Sequence, residues 1–117
     1  MQPDSLAALS ERLQSFAAVR DWEQFHTPKN LAMAITAEAG ELAAEFQWLD
    51  GPQSASLSAE HRARVADEMA DVLCYLVRLA SQLGIELVAA TNAKIDRNEQ
   101  RYPAEEFRGS ARKCGEG

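Results

Sequence analysis

Two short acidic patterns carry the chemistry of this chain. The first lies in EAGELAAEFQW, residues 38 to 48, where Glu38 and Glu41 stand one helical turn apart and Glu45 follows on the same side. The second lies in DEMAD, where Glu68 and Asp71 repeat the spacing. Like charges one turn apart weaken a helix slightly, so a chain that gathers them needs a reason. If Glu38, Glu41, Glu68 and Asp71 converge, either some carboxylates hold protons or a cation sits among them. An all-oxygen donor set suits a hard ion, Mg²⁺ first, with Mn²⁺ also possible.

The elements that must position these acids are helices. Leu6, Leu9, Leu13 and Phe16 recur at spacings of three and four and predict a first helix from about Ser5 to Val19. RDWEQFHTP interrupts the pattern. Thr27 is an N-cap and Pro28 a first helical residue, so a second helix starts there and buries a stripe of Leu31, Ile35, Ala39, Leu42 and Phe46. DGPQSAS, residues 50 to 56, reads as a loop. A third helix follows Ser58, with a stripe running from Val65 through Met69, Leu73 and Leu76 to Leu83, and ends at Gly84. A fourth spans about Ile85 to Arg101 and stops before Pro103. The expected fold is therefore all-α, one domain over residues 1–103, with a polar, mobile tail over 104–117.

Helical geometry tells where the acids point. At about 100° per residue, Glu38 and Glu41 flank the second helix's apolar stripe, and Glu68 and Asp71 flank the third helix's stripe on the same side. Antiparallel packing, which a short loop favours, brings both flanks to one edge of the hairpin. Glu41 then faces Glu68, and Glu38 faces Asp71, across a gap of about 8–10 Å. Gly40 costs about 1 kcal/mol in mid-helix relative to Ala and suggests the close approach of another backbone.

KIDRNEQRYP, residues 94 to 103, puts Lys94, Arg97, Asn98 and Arg101 on one face of the fourth helix. Beside a carboxylate-bound metal, that face is a candidate phosphate clamp. Tyr75 lies one turn beyond Asp71, and Trp48 lies on the acid flank near the end of the second helix; a planar base can stack on such rings. His26, in FHTP, reads as a loop hydrogen-bonder, and His61, early in the third helix, as exposed. Cys74 reads as core and Cys114 as part of the tail; neither has zinc-site spacing.

The 117 residues carry a net charge of −6, which argues against a general nucleic-acid binder, since that needs a basic face. Metal and helix cations together would still admit a small polyphosphate. Residues Met1 to Asp4 do not read as a signal peptide, and no uncharged stretch approaches the roughly 20 residues of a membrane span. A reducing, cytoplasmic setting without membrane contact is expected. There is no GxxxxGK[ST] or GxGxxG phosphate loop and no Ser–His–Asp or Cys–His signature.

EAGE, then DEMAD, then KIDRNEQRYP resembles the MazG-like all-α nucleoside triphosphate pyrophosphohydrolases, whose mark is ExxE followed on the next long helix by ExxD. RDWEQFHTPKN, GELAAEFQW and RYP look closest to the dCTP pyrophosphatase branch, and the likeness covers roughly residues 5 to 103. It implies a four-helix MazG-like bundle completed by homo-oligomerisation, as a tetramer or dimer. It also implies Mg²⁺-dependent hydrolysis of a (deoxy)nucleoside triphosphate, dCTP-like, to monophosphate and pyrophosphate, a house-cleaning of the dNTP pool. By the same likeness Glu38, Glu41, Glu68 and Asp71 would hold metal, and Glu41 would take the proton of the attacking water. Lys94, Asn98, Arg101 and Tyr102 would contact phosphates or sugar. Trp22, Trp48 and Tyr75 would shape the base pocket, and His26 joins the substrate-contacting set. The chain departs from relatives at Ala44, where a glutamate is frequent. It also lacks, in residues 5 to 19, the histidine that some cytosine-preferring members carry, so the preferred base stays open.

Two rival readings keep the helices and change the function. A di-iron carboxylate bundle needs ExxH pairs, and ExxD stands here instead. A non-catalytic acidic helical interaction module needs neither metal nor nucleotide.

Overall fold

The computed structural model describes residues 5–115, and every regular element among them is helical. Met1 to Asp4, read above for a leader, and the last two residues of the tail lie outside the described residues. Helix α1 spans Leu6–Ala18, with the Ser5 hydroxyl accepting from the Ala8 N–H at 3.1 Å. The chain then turns through Asp21, at φ 56°, into a 3₁₀ turn over Glu23–Phe25. Helix α2, Pro28–Ala44, opens as expected with Thr27 capping Asn30 at 3.2 Å. The Asn30 side chain reaches back to donate to the Phe25 carbonyl, tying the 3₁₀ turn to α2.

The end of α2 comes two residues earlier than its apolar pattern suggests. From Glu45 the backbone tightens into bonds between residues three apart, Glu45 to Leu42 and Phe46 to Ala43. The expected loop after it contains a one-turn helix, α3, Gly51–Ser54. Asp50 and Gln53 cap it reciprocally: Gln53 N–H donates to Asp50 Oδ1 at 2.8 Å and Asp50 N–H to Gln53 Oε1 at 3.0 Å. A loop assignment made on Gly and Pro alone passes over this capping box.

Helix α4, Ala59–Leu83, is the longest element, capped by Ser58 at one end and by Gly84 in the left-handed region, φ 67°, at the other. Helix α5, Leu87–Arg101, begins two residues after the expected start because the Glu86 side chain caps it, accepting from Ala89 N–H at 2.8 Å. A final turn, α6, covers Ala104–Phe107. The tail also makes contacts: the Phe107 ring sits 4.9 Å from Tyr102, and Glu106 pairs with Arg112 at 3.6 Å.

The chain divides into two compact units, one running to Ile85 and one from Glu86 onward. In the first, α2 and α4 make the most extensive contacts and α1 packs on α4. Glu45 meets His61 and Arg64, whereas His26, before α2, meets Arg78 late in α4. Contacts that run in opposite chain directions are those of an antiparallel hairpin. Its centre is small: Ala17, Leu31, Val65, Val77 and Ala80 are the buried apolar residues. Met69, Leu73, Leu76 and Leu83 of the α4 stripe stay exposed, at 36–58%. No single helix among the described residues is long and apolar enough to cross a membrane.

Three expectations are corrected by these contacts. His61 is half-buried rather than exposed, because its ring is drawn onto the end of α2. Gly40 meets no backbone: a Cβ there would find nothing within 4 Å, so one chain gives no packing reason for the glycine. Cys74 is half-buried rather than fully in the core, and both cysteines are free.

Candidate active site

The hairpin brings Glu38, Glu41 and Glu68 together. One carboxylate oxygen from each lies within 4.8 Å of the others. Nothing cationic among the described residues is paired with them, unlike Glu45, the next acid along α2. Glu45 Oε1 takes Arg64 Nε at 3.2 Å and lies 3.1 Å from His61 Nε2, which also meets the Glu45 carbonyl at 2.7 Å. Both partners of that ring nitrogen are acceptors, so Nε2 carries the proton. The acid ladder of α2 thus divides into a neutralised rung and two open ones.

The open carboxylates are poorly satisfied. Oε2 of Glu38 and Oε2 of Glu68 are shut off from solvent and accept no hydrogen bond, although each residue as a whole is only half-buried. Both carboxyls are held above the ordinary carboxylate range, first by desolvation, then by Glu41 within hydrogen-bonding reach. The charges of Glu41 and Asp71 add to the shift in each case. Orphaned buried oxygens in an all-carboxylate set fit a hard divalent cation. Asp71 is the fourth expected ligand. It lies near enough to act on Glu38 and Glu68 through its charge, but outside the tight group of three. Its side chain is exposed and borders an adjacent cavity.

That cavity, of about 220 Å³, is where α1, the 3₁₀ segment and α4 meet. Leu13 and Phe16 form its α1 wall, Trp22 and His26 come from the connecting segment, and Asp71, Tyr75 and Arg78 come from α4. Trp22 is held edge-on by Phe16 at 5.6 Å and by His26 at 6.4 Å. Three of the expected substrate-contacting residues, Trp22, His26 and Tyr75, therefore share one cavity with Asp71. Cys74 also borders it, and burial, then the charge of Asp71, pushes its thiol pKa up, which makes it a poor nucleophile.

Arg78 was missed by the sequence reading. It is 4% exposed, the only buried charged residue among those described, and its Nη2 has no partner. Its Nε donates to His26 Nδ1 at 3.4 Å. Burial and the Arg78 charge hold the His26 pKa down, against an opposing pull from Glu23. A signal was present: Arg78 lies two turns beyond Asp71 and one beyond Tyr75, on the flank that carries both.

The remaining expected residues sit elsewhere. Trp48 is 86% exposed after α2 and joins neither group in this chain. Lys94, Asn98, Arg101 and Tyr102, in the second unit, line a separate cavity of about 490 Å³ with tail residues such as Ser110. Arg101 lies over the Tyr102 ring at 5.5 Å. These four side chains do share one concave surface, as a phosphate clamp requires.

Known proteins resemble this arrangement in sequence and fold. Residues 33–116 match the MazG-like family. Over 103 residues the chain is 50% identical to dCTP pyrophosphatase 1 of Homo sapiens, covering 86% of this chain and 61% of that protein. It is 49% identical to the dCTP pyrophosphatase 1 of Rattus norvegicus, covering 82% of this chain and 58% of the relative. The chain thus spans about three fifths of the length of these curated relatives. A crystal structure of a pyrophosphatase from Archaeoglobus fulgidus superimposes with a TM-score of 0.80 at 34% identity, over 88% of this chain and 96% of that one.

Proposed function

The chain belongs to the MazG-like family, and from that premise we propose that it hydrolyses a (deoxy)nucleoside triphosphate, dCTP-like, to the monophosphate and pyrophosphate. The observation that carries the proposal is the meeting of Glu38, Glu41 and Glu68 with two of their oxygens buried and unsatisfied. A site that serves only as a solvated acidic face has no cause to desolvate its own charges.

In this reading Glu38, Glu41 and Glu68 hold Mg²⁺, or Mn²⁺ in its place, with Asp71 completing the set. Bound there, the ion neutralises phosphate charge and lowers the pKa of a water. The water oxygen bonds to the α-phosphorus as the bridging α–β P–O bond breaks. The pyrophosphate leaves with that electron pair, and the water's proton passes to Glu41. The exposure of Glu41 suits this role, because the proton can leave to solvent. Trp22, His26 and Tyr75 wall the base. Within the second unit, Lys94, Asn98, Arg101 and Tyr102 form a set suited to phosphates or sugar. Trp48, unsupported within one chain, would shape the pocket only from a neighbouring copy. A homo-oligomer, dimer or tetramer, would also cover the exposed α4 stripe and the open side of Gly40. The nucleotide pool of the cytoplasm is the proposed setting.

Pyrophosphate release from a panel of deoxy- and ribonucleoside triphosphates, with and without Mg²⁺, tests the proposal. Turnover that needs the ion is expected. No release from any nucleotide would favour the non-catalytic acidic module instead.

A further inference from the structure

Within the cavity of α1, the 3₁₀ segment and α4, the hydrogen-bonding groups are unevenly spread. The α1 wall contributes Leu13 and Phe16, which offer no donor or acceptor. Trp22 and Tyr75 supply ring faces on which a planar base can stack. The polar groups of the lining residues are the Asp71 carboxylate, the Tyr75 hydroxyl, the Trp22 indole N–H, and Arg78 with its partner His26. Because His26 Nδ1 accepts from Arg78, the neutral imidazole carries its proton on Nε2 and is itself a donor there. An unsatisfied, buried guanidinium donor is costly; Nη2 of Arg78 is such a donor, and Arg78 itself lines a cavity large enough for a nucleobase.

We propose that Arg78 is the specificity-determining residue of the base pocket, donating from its guanidinium to the acceptor edge of a cytosine ring. The inference rests on the nucleotide reading above and deepens it. A guanidinium donates and never accepts, so the base must present acceptors to it. Cytosine offers two side by side, the C2 carbonyl and the unprotonated N3. Uracil and thymine keep the C2 carbonyl but carry a proton on N3, so the second of the two contacts sets donor against donor. A site built around a hydrogen bond rejects the analogue that cannot make it, because the buried group is then left unpaired.

Uncharged nucleosides isolate this pocket, since they call on neither metal nor phosphate clamp. Equilibrium dialysis of the full chain against 2′-deoxycytidine and 2′-deoxyuridine is expected to favour the cytosine nucleoside on the order of tenfold. In Arg78→Met the preference should shrink to about twofold or less, and in Arg78→Lys, which keeps a charge but not the planar fork, to an intermediate value. Equal binding of the two nucleosides by the unaltered chain, binding of neither, or an unchanged preference in a folded Arg78→Met overturns the assignment. Preference without pyrophosphate release from any triphosphate would instead sink the hydrolase reading and leave the base assignment standing.

Discussion

The carboxylate cluster and the Arg78 cavity adjoin on α4, yet they are unfinished in opposite senses. The cluster holds buried acceptors, Glu38 Oε2 and Glu68 Oε2, that want a cation or a proton. The cavity is lined by Arg78, whose guanidinium holds a buried donor, Nη2, without an acceptor. Each is a local debit in folding free energy, since a polar group shut off from solvent without a partner is costly. The two do not cancel each other: no ion pair joins Arg78 to Asp71 or to the glutamates among the described residues. A protein selected for stability alone would pair them or replace them with apolar groups. Keeping opposite charges close but unpaired suits a ligand that brings both a cation to the acids and an acceptor edge to the arginine.

The sharpest way to break this comparison is through Glu41. Glu41→Gln removes the proposed proton acceptor and one metal ligand, so pyrophosphate release should fall by roughly 10²–10⁴-fold, with the helical circular dichroism unchanged. Retained activity would strip the cluster of its chemistry and leave the Arg78 cavity as the only candidate site.

Metal removal probes the same cluster with a smaller effect. A bound cation at about 100 times its Kd stabilises the folded state by roughly 2.7 kcal/mol, so adding Mg²⁺ to chelated protein should raise Tm by several degrees. Glu68→Gln should invert the sign of the acid's contribution. In chelator it relieves repulsion and raises Tm by a few degrees, and with Mg²⁺ it loses most of the gain. A thermal-shift series over both proteins checks this, and identical Tm values with and without the ion would refute the cradle.

Arg78→Met sharpens the other half of the comparison. Replacing a buried, half-satisfied charge by an apolar side chain of similar length is often neutral or stabilising. Chemical denaturation should therefore show no loss beyond about 1 kcal/mol, even as base preference disappears. A loss of several kcal/mol would make Arg78 a structural residue.

The two regions also differ in how much of them could be read from the chain. The acid cluster was legible because helix periodicity and a short antiparallel connection fix it: Glu38, Glu41 and Glu68 meet as their flank positions require. Their level across the hairpin follows from distance along two regular helices, with no long-range contact to be guessed. Even α3 leaves that register intact, since it lies inside the connection. The cavity was not legible in the same way. It needs α1, an irregular turn through Asp21 and the far half of α4 to converge, and nothing in RDWEQFHTP fixes the path of that turn. Arg78 shares a flank with Asp71 and Tyr75, but its burial is decided by α1 and the 3₁₀ segment closing over it. Trp48 differs again: its flank position was read from a helix period carried to residue 48, the helix stops at Ala44, and within one chain the ring stays exposed.

The weakest effect comes from His26, and its sign is fixed by burial together with the Arg78 contact. Burial and the adjacent guanidinium lower the pKa of His26 below the ordinary 6.5, so the folded state binds its proton less readily than the unfolded state. Stability from this group is then complete above about pH 6.5 and is lost as pH falls from there through the depressed value. His26→Gln can still accept from Arg78 but cannot titrate, so it should flatten the stability profile below pH 6.5 while leaving stability at pH 8 nearly unchanged. Denaturant midpoints of the two proteins at pH 8 and at pH 5.5 read this directly. An equal slope in both would mean that His26 is neither buried nor held beside Arg78 in solution. The donor assigned to the base would then lose the partner that orients it, whereas the carboxylate cluster, which makes no use of His26, would be untouched.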